Sequence, residues 1–244
     1  MKKVEVKNLT KSFGDLLVLD NVSFDVKEGE FLCIVGPTGC GKTTFLNSLT
    51  GIYEIDEGEI HIDGESVDLK KHSIAYIMQE YSTMSWLNVR QNVQFGLEIR
   101  KYSKAEVKQK TDEALQLVGL EKFADYYPNQ LSASMLQRVA IARAFAVQPD
   151  LLLMDEPYGQ LDLELRFKLE DELLNLWRKL KTTVIFITHN IEEAVYLSER
   201  ILVLTNKPTT IKKSIQNGLP YPRRVTEESF VELRNEVTAL IKWW

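Results

Sequence analysis

The chain has 244 residues, 44% hydrophobic and 27% charged, with a formal net charge of -5 at pH 7. That suits one large folded domain or two modest ones, and its negative balance offers no overall attraction to nucleic acid or anionic lipid. The two cysteines, Cys33 and Cys40, have neither a disulfide nor a metal-ligand spacing, so a reduced, cytosolic chain is expected.

The opening residues, MKKVEVKNLT, are charged and alternating, unlike the apolar run of a signal peptide. No stretch approaches the roughly 18 apolar residues of a spanning helix. Any work at a membrane then requires other subunits to hold the chain there.

Val4 and Val6, then Val22, Phe24 and Val26, alternate with polar residues and predict half-buried antiparallel strands. Glu28-Gly29-Glu30 is a turn, and the continuously apolar Phe31 to Val35 predicts a strand covered on both faces. A Gly-rich loop precedes a helix from Lys42 to Leu49, with Gly51 suited to end it. Glu59 to Ile62 alternates again before Asp63-Gly64, a hairpin turn signal, and Ser73 to Met78 is a further strand.

From Tyr81 to Phe145 the pattern is helical. Ser103 and Glu106 form a capping box, and Val107, Thr111, Ala114, Leu115 and Val118 make one face. Parallel-type strands return at Leu151 to Met154, Val184 to Thr188 and Ile201 to Leu204. Between the first two, Leu169, Leu173, Leu176 and Leu180 line a helix. After Thr205 come several Pro and Gly residues, then a short helix from Glu228 to Ile241, ending in Trp243 and Trp244. The expected fold is α/β: a mostly parallel core, an antiparallel β layer and an inserted helical subdomain. Residues 1–80 and 146–244 form the core and 81–145 the helical insertion.

Gly36-Pro37-Thr38-Gly39-Cys40-Gly41-Lys42-Thr43, with Thr44 next, fits G-x-x-x-x-G-K-[ST] between a buried strand and a helix, the context of a P-loop. Glycines let backbone N–H groups turn toward phosphate oxygens, and the helix N-terminus adds positive partial charge. Lys42 can reach the β- and γ-phosphates of ATP, and the Thr43 hydroxyl can ligate Mg²⁺. Cys40 also reads as a small residue filling the loop. Leu151 to Met154 ends in Asp155 and Glu156: the first can hold the Mg²⁺ shell, the second can orient or deprotonate the attacking water. Acids at strand ends also simply cap or face solvent. His189 ends the next parallel strand, on the edge where open α/β sheets bind ligands; His61 and His72 have no such context.

Further elements stand in one order with these, and the order resembles the ABC transporter ATPase family. The resemblance implies that Phe13 stacks on adenine, that Gln79 contacts Mg²⁺ and responds to membrane subunits, and that His189 is the switch histidine. Leu131-Ser-Ala-Ser-Met-Leu-Gln-Arg138 stands where the LSGGQ-type signature is expected, which assigns Ser132, Ala133 and Ser134 to the γ-phosphate of a partner's ATP. Tyr158 to Asp162 is similar to the D-loop. The family implies a head-to-tail dimer enclosing two ATP molecules, peripheral on the cytoplasmic face of the membrane. It further implies transmembrane permease subunits docked beside Tyr81 to Val93 and, indirectly, a solute-binding protein. Trp86 is a contact in that groove or a buried anchor of the insertion. Trp86 to Val93 and the tail Leu219-Pro-Tyr-Pro-Arg-Arg-Val-Thr look like the nitrate, sulfonate and taurine importer branch.

Ala133 and Ser134 replace the family's two glycines, and Asn190 follows His189 where Asp is common. The altered signature admits an alternative, an ATP-binding switch subunit with weakened hydrolysis in a heterodimer; Glu156 and His189 argue against it. A soluble ABC ATPase acting on DNA or ribosomes lacks support, with no long coiled coil, tandem domain or basic tract, so no nucleic-acid partner is expected.

Overall fold

The structure is a computed structural model that describes residues 1–80, 82–159, 161 and 163–241. The chain separates into two compact units: Met1–His72 with Glu170–Trp244, and Ser73–Leu169.

The first unit opens with β1 (Lys2–Phe13) and β2 (Leu16–Lys27), paired antiparallel with Val4 opposite Val26 and Val6 opposite Phe24. The period-two alternation thus places these side chains on a common, largely buried face. Next, β3 (Phe31–Val35) is wholly buried, and α1 (Lys42–Leu49) has the bounds predicted from sequence. β4 (Glu57–Ile62) and β5 (Glu65–Ser66) complete an antiparallel sheet of order β2-β1-β4-β5. Their turn has Asp63 at φ 53° and Gly64 at φ 80°, the two positive φ values of a tight hairpin.

In the second unit, β6 (Ile74–Ile77) leads into α2 (Val89–Ile99), α3 (Lys104–Leu117) and α4 (Ala133–Ala146), and β7 (Leu151–Asp155) returns parallel to β6. Capping boxes at Asn88/Gln91 and Ser103/Glu106 start α2 and α3. The predicted face from Val107 to Val118 is buried. α5 (Leu163–Leu180) begins in this unit and ends in the first. Leu169, Leu173 and Leu176 are buried, but Leu180 is 43% exposed: it is the last residue of the helix, where the apolar stripe runs out.

The first unit resumes with β8 (Thr183–Thr188), α6 (Ile191–Leu197) and β9 (Arg200–Leu204); β3 lies between β8 and β9, parallel to both. The segment after Thr205, in which no strand is predicted from sequence before the helix, contains β10 (Ile211–Gln216), antiparallel to β9. Its exposed Lys212, Lys213 and Ser214 hide the period, and lysines are common on edge strands because they discourage pairing with another chain. α7 (Glu228–Leu240) buries Phe230 and Val237; Trp243 and Trp244 lie outside the described residues.

The expected division at 80/81 and 145/146 differs from the compact units because β6 and β7 associate with the helices, α4 packing on β6. Phe31, Trp177 and Phe186 form the aromatic centre of the first unit, the Trp177 and Phe186 ring centroids lying 5.5 and 6.0 Å from that of Phe31. Fully burying side chains of this size contributes about 1.5–3 kcal/mol each. Among the described residues no helix is long and apolar enough to cross a membrane.

Candidate active site

In the first unit, Val35 pairs with Thr188, so Gly36 and His189 leave adjacent parallel strands at the same rung. The loop from Gly36 turns twice through left-handed backbone, at Gly39 (φ 76°) and Gly41 (φ 110°). A Cβ on Gly41 would stand 2.8 Å from Val18 Cγ1, so both conformation and space require glycine there. Gly41 is the N-cap of α1 and makes no side-chain cap, and the first turn has no acidic residue. The N–H groups that open the helix, through Thr43 and Thr44, are therefore left for an anion. Lys42 is 5% exposed, and its Nζ donates to the Gly36 and Pro37 carbonyls at 3.1 and 3.0 Å. Pro37 and Cys40 are buried, whereas Thr38, Gly39 and Thr43 are exposed.

At Cys40 helix polarity and burial act in opposite directions. A helix N-terminus favours thiolate, but Cys40 is 2% exposed and burial pushes its thiol up, with the Lys42 ammonium opposing. Cys33 is also a free, buried thiol.

His189 is exposed on the turn between β8 and α6. Its neighbours are fixed from both sides. The Thr188 hydroxyl donates to Glu193 Oε2 at 2.5 Å and accepts from Asn190 N–H at 2.9 Å. Asn190 caps α6, its Oδ1 accepting from Glu192 N–H at 2.9 Å. Asn and Asp serve this purpose equally, so the departure at Asn190 leaves the local structure intact. Phe13 ends β1 and is 44% exposed. Tyr53 meets it edge-on at 5.3 Å and Lys11 Nζ lies 5.4 Å from its centroid, a stacking surface for a base.

The second unit holds the carboxylates. Ile77 pairs with Met154, so Asp155 and Glu156, like Met78 and Gln79, follow the last rung of β6 and β7. Asp155 is 4% exposed and accepts from the Tyr76 hydroxyl at 3.5 Å, a long contact. Glu156 has φ 45°. This left-handed backbone costs a non-glycine residue about 1–2 kcal/mol, at a position where the following Pro157 favours extended backbone. Such strain concentrates at functional positions. Gly159 N–H returns to the Glu156 carbonyl at 3.2 Å, and Tyr158 is buried with its hydroxyl donating to Leu169 O at 3.4 Å. Gln79 is exposed. Of the D-loop stretch, Gln160 and Asp162 lie outside the described residues.

The signature stretch opens α4. Ser132 is its N-cap, accepting from Met135 N–H at 3.4 Å and lying 3.0 Å from Ser134 Oγ. Ala133 and Ser134 are the first two helical residues, and neither has positive φ, so the backbone makes no demand for glycine there. Tyr81 of the expected docking groove lies outside the described residues. Trp86 is 73% exposed, which removes the buried-anchor reading. The turn that displays it is bracketed by the buried Asn92, whose side chain bonds Met84, Leu87 and Asn88.

The glycine-shaped loop, uncapped helix and Lys42 fit a triphosphate. In the first unit the Thr43 hydroxyl, and in the second the Asp155 carboxylate and the Gln79 amide, are each hard oxygen donors of the kind Mg²⁺ takes alongside substrate phosphates. Among the described residues no group of three or more His, Cys, Asp or Glu could hold a metal without such help.

Sequence reasoning missed Thr209. It is fully buried, its N–H donates to Val18 O at 2.9 Å, and its hydroxyl donates to the Cys40 carbonyl, so it ties the back of the P-loop to β2. No local motif marks it.

The ABC transporter family profile matches residues 19–159. The aliphatic sulfonates import ATP-binding protein SsuB of Bacillus cereus is 44% identical over 95% of this chain and 91% of its own length. An uncharacterized ABC transporter ATP-binding protein of Methanocaldococcus jannaschii, MJ0412, is 43% identical over 98% of this chain and 91% of its own. Among solved structures, a dimeric post-hydrolysis state of the ATP-binding cassette MJ0796 bound to ADP and Pi has a TM-score of 0.78 at 33% identity, covering 89% of this chain and 100% of that one.

Proposed function

The chain belongs to the ABC transporter family and is an ATP-binding ATPase subunit of it, and from that premise we propose that it energises import of a small organic anion of the sulfonate class. The observation that carries the reading is the Gly36–Thr43 loop running into the uncapped N-terminus of α1, with Lys42 held on its carbonyls. The solute class is supported by the sulfonate-import relatives. The stretches Trp86 to Val93 and Leu219 to Thr226 support it by resemblance.

In this reading Phe13 stacks on adenine and the N–H groups of residues 39–44 take the phosphate oxygens. Lys42 exchanges two neutral carbonyls for β- and γ-oxygens, giving stronger, charge-assisted bonds. Thr43, Asp155 and Gln79 would hold Mg²⁺, which when bound would supply neutralisation of developing phosphate charge. Glu156 takes a proton from the water that attacks the γ-phosphorus, ADP leaves, and His189 stabilises the γ-phosphate. Ser132, Ala133 and Ser134 offer the start of α4 to ATP bound by a second copy of the chain. Residues 81–145, with Trp86 exposed, present the surface for the permease. The chain then sits peripherally on the cytoplasmic face of the membrane, and a solute-binding protein delivers the solute.

Reconstituted with its permease in vesicles, the chain should drive ATP-dependent accumulation of an alkanesulfonate. Lys42→Ala should abolish both accumulation and most ATP binding. A Lys42→Ala chain binding ATP within about threefold of the parent, about 0.7 kcal/mol, would overturn the site. ATP turnover that no permease stimulates would overturn the transport role.

A further inference from the structure

α6 is seven residues long, too short to hold itself together in water. In such a helix the terminal carbonyls without an intrahelical partner belong to more than half of its residues. In this chain each of its last four carbonyls has a donor. Ala194 O accepts from Ser198 N–H and its hydroxyl, at 3.1 and 2.6 Å. Val195 O accepts from Asn217 Nδ2 and an Arg223 Nη, both at 2.8 Å. Tyr196 O accepts from Arg223 at 2.9 Å, and Leu197 O from the Tyr221 hydroxyl at 2.6 Å.

Arg223 is 6% exposed. It also donates to Ser198 O at 2.7 Å and to Leu219 O at 3.2 Å, and its guanidinium stacks on the Tyr221 ring at 4.0 Å. A cation at a helix C-terminus is favourable, the more so when shielded from water. The tail from Asn217 to Arg223 is thus a clamp on one end of α6.

The other end of α6 holds His189. Glu193, 4% exposed, grips the Thr188 hydroxyl from inside the helix, and Asn190 caps the helix while its N–H returns to Thr188. His189 is the single residue between these two anchors, both fixed to α6. We propose that Arg223, with Tyr221, is a positioning residue for His189: the tail sets where α6 lies, and α6 sets where His189 lies. This rests on the reading that His189 serves hydrolysis, and it makes the tail, outside residues 19–159 that match the family, a determinant of turnover.

The test is a double-mutant cycle on the full chain, reading kcat and KM for ATP with melting temperature alongside. Arg223→Met keeps the length and apolar stacking but removes every donor. It should lower kcat about tenfold and leave KM within about threefold, because the P-loop and Phe13 are untouched. In a His189→Ala background the same change should cost no more than about twofold further, the non-additivity of residues acting through one group. Tyr221→Phe removes one donor and should give a smaller kcat loss with the same dependence on His189. If Arg223→Met fails to fold, that second cycle carries the test by the same criterion. Equal losses in both backgrounds, or a KM increase at constant kcat, would mean a purely structural tail and overturn the proposal. A His189→Ala chain that hydrolyses at the parental rate would instead overturn the role of His189 itself, and the clamp's catalytic meaning with it.

Discussion

Gln79 and Glu156 each stand two residues beyond one rung of a parallel ladder, the Ile77–Met154 pair. Two residues 77 positions apart in sequence thus leave the same end of the same strand pair. Glu156 does so with strained backbone that fixes its direction. Glu156→Gln keeps that geometry and removes the carboxylate proposed as the base. It should retain ATP affinity within about threefold and lose nearly all turnover. With ATP and Mg²⁺ it should accumulate as a dimer on size exclusion. Hydrolysis at the parental rate would place the base elsewhere.

The signature makes the opposite kind of prediction, in which stability and activity separate. Ala133 and Ser134 are helical, so glycine at both costs about 0.5–1 kcal/mol per position. Melting temperature should fall by roughly 2–8 °C in a chain of this size. Removing two Cβ atoms from the surface proposed to face a partner's γ-phosphate should raise homodimer ATPase, with monomer ATP affinity unchanged. A rate that rises only beside a different subunit would identify a heterodimer with unequal sites.

Cys40 should react slowly. Its thiol is 2% exposed and pushed up by burial, so alkylation near neutral pH should be far slower than for a free thiol and accelerate as pH rises. Saturating MgATP should slow it further, and labelling should block nucleotide binding. Labelling in a Cys33→Ala chain, followed by mass spectrometry, gives the rate; equal rates with and without MgATP would put Cys40 outside the site.

The tail predicts an alkaline transition. Burial raises the Tyr221 hydroxyl from 10.0 to about 12, against the downward pull of the Arg223 guanidinium. The folded chain therefore holds this proton more tightly than the unfolded one. The contribution is fully present below pH 10 and is lost as pH rises through about 12. Below that window Tyr221→Phe should melt lower by the worth of one hydrogen bond, about 1 kcal/mol. The gap to the parent should close as the pH approaches about 12. A gap that stays constant would show that the hydroxyl does not ionise on unfolding.

Legibility in the sequence followed distance along the chain. The bounds of α1, the Ser103/Glu106 box and the Asp63-Gly64 turn are written within a few residues, and the structure has all three. Gly36 to Thr43 is equally local. The hydroxyl of Thr209 reaches a carbonyl 169 positions away, and Arg223 serves a helix 28 residues earlier. Thr209 leaves no period or motif behind, and the stretch around Arg223 marks a resemblance without showing which carbonyls it serves. β10 was hidden for another reason, since an edge strand with exposed lysines has no apolar alternation to read. At Cys40 helix polarity, visible in sequence, loses to desolvation, which only packing reveals.

The Ser73 carbonyl accepts from both Asp150 N–H, at 2.8 Å, and Leu151 N–H, at 3.2 Å. The chain leaves for its helices and returns at one stitched point. Everything between is a closed excursion whose entropic cost grows only with the logarithm of its length, about 0.6 kcal/mol per doubling. Evolution can therefore lengthen, shorten or exchange the intervening helices without disturbing the ladder that carries Asp155 and Glu156. Recombination between relatives at this stitch would exchange the helices together with β6 and Gln79 while leaving β7, Asp155 and Glu156 in place, so the inserted surface and these carboxylates can diverge separately.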